Sequence, residues 1–171
     1  MTVRAEMQAS IAQSFSLAER AGTVLVVDDS STMRTVVRRI LQRLEVDDVV
    51  EAPDAASAFQ LLHEQSFGVV ICDLQMEPHD GFHLLRGLRD MPEERAETPF
   101  ILMTASLDAK NVEVARYRGA DAYVLKPFSP EALRQKLEAV LPMGRFVAQS
   151  QAAMIEQQVI ERRVKTFTGS R

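Results

Sequence analysis

Five polar side chains stand directly after short apolar runs: Asp28 and Asp29 in VLVVDDSSTMR, Asp73 in VVICDLQM, Thr104 in ILMTAS and Lys126 in AYVLKPF. Two adjacent carboxylates at the end of a buried run are costly unless a positive group accompanies them, so the Asp28-Asp29 pair asks for a cation. Three carboxylates suit Mg²⁺, a hard ion that takes oxygen ligands, keeps several waters and pairs readily with phosphate oxygens. Asp73 would then be a nucleophile toward a metal-bound phosphoryl group. Lys126 would balance charge and Thr104 would hydrogen-bond a phosphoryl oxygen, the electrostatic help that phosphoryl transfer mostly needs.

The elements that must bring these residues together are legible as a strand-helix alternation. Strand-length apolar runs occur at 23–27, 49–52, 69–72, 100–103 and 122–125, each followed by a helical pattern. In the first helix Met33, Val36, Val37, Ile40, Leu41 and Leu44 share one face. Asp54 after Pro53, Asp80-Gly81 before Phe82, and Ser129-Pro130-Glu131 punctuate later helix starts. Such units predict an α/β doubly wound, five-stranded parallel sheet with helices on both faces. Residues that follow the strands of such a sheet lie along one edge, where ligands bind. The five side chains are therefore expected to converge.

Composition narrows the remaining possibilities. The chain of 171 residues fits one domain of ordinary size with modest extensions. Its single cysteine, Cys72, excludes an intramolecular disulfide and a cysteine-based zinc cluster. No apolar stretch is long enough to span a bilayer and no secretory h-region opens the chain, so a cytoplasmic protein without a membrane partner is expected. The net charge of −4 is unevenly spread. Basic Arg145, Arg162, Arg163, Lys165 and Arg171 outweigh Glu156 and Glu161 in the tail, which leaves the body acidic and argues against DNA as the main partner. Outside the alternation, Val3, Met7, Ile11, Phe15 and Ala18 repeat at helical spacing, as do Ile155, Val159, Ile160 and Val164. The expected division is a helical extension over 1–22, the α/β domain over 23–142 and a second helical extension over 143–171, with a homodimer through the terminal helices as one use of them.

The four quoted motifs, in this order at strand ends, resemble the receiver domain of bacterial two-component response regulators, and the first and last are closest to CheY-type chemotaxis regulators. The resemblance spans residues 23–141 and implies the strand order 2-1-3-4-5. It implies Asp73 as phosphoacceptor, Asp29 and Asp73 as direct Mg²⁺ ligands, Asp28 as a ligand through water and the Gln75 backbone carbonyl as a further ligand. It also implies Thr104 as the switch hydroxyl, Lys126 as the phosphate-binding lysine, a cis Lys126-Pro127 bond, and Tyr123 as an aromatic that turns inward on activation. The partners implied are a histidine kinase or phosphotransfer protein and a downstream protein target. One departure stands out: receivers commonly have proline four residues after the phosphoacceptor, whereas here Glu77 holds that place and Pro78 follows. An altered loop is expected there.

Plainer roles exist for the same residues. Asp28 or Asp29 alone could simply cap a helix, Thr104 and Lys126 alone are ordinary, and a strand tyrosine such as Tyr123 often only packs. Their joint occurrence favours the site. His79 and His83 have helical spacing for a metal, but the Asp80-Gly81 turn signal between them argues against one. Cys72 should point away from Asp73 into the core. The expected protein is a stand-alone receiver that catalyses only its own phosphorylation and dephosphorylation and signals by protein contact, with chemotaxis or motility as one output. A phosphorylation-independent scaffold and a DNA-binding regulator using the basic tail are the rivals.

Overall fold

The computed structural model describes residues 15–105 and 119–141. The segment 106–118, with the helix expected after the fourth strand, lies outside the described residues, as do most of both terminal extensions. Residues Leu17–Leu141 belong to one compact unit. Along it run α1 (Leu17–Ala21), β1 (Val24–Val27), α2 (Ser31–Arg43), β2 (Val49–Ala52), α3 (Ala55–Glu64) and β3 (Val69–Asp73). They are followed by α4 (Gly81–Arg89), α5 (Glu93–Ala96), β4 (Phe100–Thr104), β5 (Ala122–Leu125) and α6 (Pro130–Val140). The five strands form one parallel sheet in the order β2-β1-β3-β4-β5, as expected.

Strand alternation divides the core between the two faces of the sheet. Leu25, Val27, Val70, Cys72, Phe100 and Leu102 face α3 and α4, meeting Ala58, Leu62, Leu84, Leu85 and Leu88. Val24, Val26, Ile71, Ile101, Met103 and Val124 face α2 and α6, meeting Val37, Leu41, Leu133 and Leu137. The interior strands β1, β3 and β4 are buried along their whole length, which is why they read as unbroken apolar runs. In α2, Val36 departs from the expectation and stands exposed, because it lies at the flank of the apolar stripe whose centre carries Val37, Ile40 and Leu41.

Caps hold the helices where the punctuation predicts. Asp54, Asp80 and Ser129 accept hydrogen bonds from the N–H groups of Ser57, His83 and Ala132. For α2 the capping residue is Ser30, whose side chain accepts from Met33, so Asp28 and Asp29 are left for other work. Each such cap contributes about 1 kcal/mol.

Two arginines close the ends of the fold. Arg20 of α1 donates to the carbonyls of Glu138 and Leu141, tying α1 to the end of α6. Arg89 of α4 donates to the carbonyls of Ala96, Thr98 and Gly119 and pairs with Asp121 at 2.8 Å, which itself accepts the Phe100 N–H. Gly68 marks a third tight place. A Cβ there would stand 1.8 Å from the carbonyl oxygen of Ala21, a backbone atom that cannot swing aside. We expect Gly68→Ala to destabilise the unit by about 1–3 kcal/mol in urea unfolding; an unchanged midpoint would contradict the close packing of α1 beneath the entry to β3.

Candidate functional site

The register of the sheet delivers the five polar residues to one edge. Val27 lies opposite Cys72, so Asp28 and Asp73 are the next residues on neighbouring strands. Asp73 is opposite Met103 and Thr104 is opposite Leu125, which puts Thr104 and Lys126 at the adjoining strand ends. The Lys126 N–H donates to the Thr104 carbonyl at 2.7 Å, and the Lys126-Pro127 peptide is cis, as the resemblance implied.

Lys126 organises the acids. Its Nζ lies 2.8 Å from Asp28 Oδ2 and 3.0 Å from Asp73 Oδ1. Asp28 is 1% exposed, and its Oδ1 accepts the Ser30 N–H at 2.9 Å. One carboxylate oxygen from each of Asp28, Asp29 and Asp73 falls within 4.8 Å of the others, with Asp28 and Asp73 buried and Asp29 exposed. The donor set fits Mg²⁺: hard oxygens only, two held in the fold and a third open to water, so that an ion could keep part of its hydration. One ammonium among three carboxylates leaves the cluster short of positive charge.

The electrostatics follow from this crowding. Burial pushes the Asp73 carboxyl above its ordinary value, against the lowering effect of the Lys126 hydrogen bond and charge and of the Gln75 N–H; Asp28 adds to the upward push. Burial would lower the Lys126 ammonium, but its pairing with Asp28 and Asp73 outweighs that and holds it above the usual lysine value. Cys72 lies fully buried on the opposite face, where burial and the nearby carboxylates push its thiol well up. It is a core residue.

The loop after β3 turns back tightly. Gly81 donates its N–H to Leu74 O at 3.0 Å, and a Cβ on it would stand 2.5 Å from the Asp73 carbonyl oxygen. Gln75 and Glu77 lie exposed on this loop, and the Glu77-Pro78 peptide is cis. His79 and His83 stack with their ring centroids 4.2 Å apart although the capping Asp80, and so the start of the helix, stands between them. Thr104 is buried at 6% exposure. Tyr123 is partly buried against the core, with Lys136 Nζ 5.5 Å from its ring centroid.

Sequence reasoning did not single out a second layer behind the acids. Arg34 donates to the Asp28 carbonyl at 2.7 Å and to Glu51, which also pairs with Arg38 at 2.6 Å. Burial raises the Glu51 carboxyl, yet the hydrogen bonds from Arg38 and Arg34 prevail and hold it below its ordinary value. The only signal in the sequence was an arginine six residues after Asp28 and an acid inside the second strand.

Comparison with known proteins decides the family. The model of the response regulator receiver domain matches residues 24–138. The chain belongs to the response regulator receiver family. This receiver is 38% identical over 122 residues to a chemotaxis protein CheY homolog of Campylobacter jejuni, covering 71% of this chain and 93% of that protein. It is 32% identical over 117 residues to the chemotaxis protein CheY of Pseudomonas aeruginosa, covering 68% and 94%. Among solved structures it is similar to CheY4 of Vibrio cholerae, with 30% identity and a TM-score of 0.65 over 71% of this chain and 99% of that one. The receiver thus falls among two-component signalling proteins with CheY-like relatives, and among its described residues no helix is long and apolar enough to cross a membrane.

The raised pKa of Asp73 has a consequence for stability. The folded receiver holds the Asp73 proton more tightly than the unfolded chain, so this group's contribution falls as pH rises from the ordinary aspartate value through the elevated folded one. With divalent ions chelated, Asp73→Asn should melt at a higher temperature than wild type at pH 7, and the gap should close below about pH 4. Circular dichroism melts would show this; an equal or lower melting temperature for the variant at pH 7 would contradict the charge crowding.

Proposed function

We propose that this receiver, acting in the cytoplasm, accepts a phosphoryl group on Asp73 from the phosphohistidine of a histidine kinase or phosphotransfer protein. The observation that carries the reading is the Asp73 carboxylate, buried at a strand end, within reach of Lys126 Nζ and clustered with Asp28 and Asp29. Asp28, Asp29, Asp73 and the Gln75 backbone carbonyl would hold Mg²⁺. The ion, when bound, supplies positive charge to the phosphoryl oxygens and orients them for in-line displacement.

A carboxylate oxygen of Asp73 attacks phosphorus, the P–N bond to the donor imidazole breaks, and the electron pair leaves with the ring nitrogen. Lys126, freed from Asp73 as that carboxylate becomes an acyl phosphate, pairs with a phosphoryl oxygen. Thr104 donates its hydroxyl to another, which links the new charge to the end of β4. Tyr123 lies on the neighbouring strand and turns inward as that end moves. The outcome is a shifted protein surface that a downstream target reads, and the CheY relatives support motility as the output. Water attack on phosphorus returns the carboxylate and inorganic phosphate, so the receiver resets itself without acting on any separate substrate.

Intact-protein mass after incubation with acetyl phosphate and Mg²⁺ tests the reading. One phosphoryl group should be incorporated, and incorporation should vanish in Asp73→Asn and when Mg²⁺ is chelated. Retained incorporation in Asp73→Asn would move the acceptor elsewhere, and none in wild type would favour a scaffold that works without phosphorylation. Lys126→Ala should still be phosphorylated, about 10²-fold more slowly, the cost of losing one preorganised charge contact to a phosphoryl oxygen. A wild-type rate in that variant would remove the lysine from the mechanism.

A further inference from the structure

Among the clustered acids, Asp28 and Asp73 are fixed by hydrogen bonds and by Lys126, whereas the exposed Asp29 carboxylate has no such partner among the described residues. What directs Asp29 is therefore its backbone. The peptide unit that enters Asp29 carries the Asp28 carbonyl, and that oxygen accepts a 2.7 Å hydrogen bond from Arg34 Nη1. The same guanidinium uses Nε to reach Glu51 Oε2 at 3.1 Å on β2, with side chains only 16% and 24% exposed. Glu51 is itself held from the other side by Arg38 at 2.6 Å.

The geometry points to Arg34, braced by Glu51, as a positioning residue for the cation site: it fixes the Asp28-Asp29 peptide and thereby the direction in which Asp29 presents its carboxylate beside Asp28 and Asp73. The inference rests on the Mg²⁺ reading above. Arginine suits the task because its planar fork can serve a carbonyl and a carboxylate at once and never loses its charge. The contact is to the Asp28 carbonyl, so Arg34 itself takes up no carboxylate oxygen of the cluster. Glu51 has a second effect. By occupying Nε it keeps the guanidinium from swinging onto the acids and competing for them, and it offsets a positive charge that would repel the ion.

Mg²⁺ alone, added to the full chain without phosphodonor, provides the test through the amide chemical shifts of Asp29 and Asp73. Half-saturation should move to about tenfold higher Mg²⁺ in both Arg34→Lys and Glu51→Gln, as loss of partners behind metal ligands commonly does. Arg38→Lys, which keeps the Arg34-Glu51 pair, should shift it little. Acetyl phosphate labelling of Arg34→Lys should recover toward the wild-type rate at saturating Mg²⁺, a split that general loss of stability would not produce. If Arg34→Lys does not fold, Glu51→Gln carries the same prediction. Folded variants that bind Mg²⁺ at wild-type concentrations would overturn the positioning role while leaving the metal reading intact. Absence of any Mg²⁺-dependent shift in wild type would overturn both.

Discussion

A single ammonium group stands between two buried carboxylates, and the site depends on that arrangement. Lys126 reaches Asp28 and Asp73 together, with a third acid, Asp29, close by. Like charges 4–5 Å apart repel by about 4 kcal/mol at the screening usual near a protein surface. One lysine therefore offsets part of the repulsion among three acids and leaves the cluster acidic. Charge shortage of this kind is unfavourable for folding and favourable for capturing a cation, a trade common where function and stability compete.

The sheet exists, from the site's point of view, to hold that crowding still. Strand ends of β1, β3, β4 and β5 are locked in register by interior strands with both faces buried. Asp73 continues the alternation of Val69 and Ile71, while Cys72 turns to the other face and fills the core against α3 and α4. Beyond the edge, Ser30 both caps α2 and donates its own N–H to Asp28, so one residue starts the helix and orients an acid. The Arg34-Glu51 pair then connects this turn to the outer strand β2.

The sheet and the grouping of the five polar residues were legible because they depend on local patterns: apolar runs of strand length, caps, and motifs placed at strand ends; the strand order came only through the resemblance to receivers. Contacts between residues far apart in the sequence were not. Arg34 and Glu51 carry no periodicity that announces their pairing, and neither does Arg89, which gathers carbonyls from Ala96, Thr98 and Gly119. Val36 read as core because it shares the helical stripe, yet a stripe's flank faces solvent when no neighbouring element covers it. The Asp80-Gly81 signal correctly gave a helix start, but the stacking of His79 on His83 across it needed the turn's actual path. The Glu77-Pro78 stretch likewise gave no course for the loop that carries it.

We propose that these acids form one cation and phosphoryl site governed by Lys126. A crystal structure of the full chain grown with Mg²⁺ and beryllium fluoride, which mimics a phosphoryl group on a carboxylate, tests it most directly. The fluoride adduct should lie on Asp73, with a cation beside Asp29 and Asp73 and with Lys126 drawn from Asp73 onto a fluorine. A cation bound elsewhere, or an adduct on Asp73 with Lys126 still paired to both acids, would contradict it.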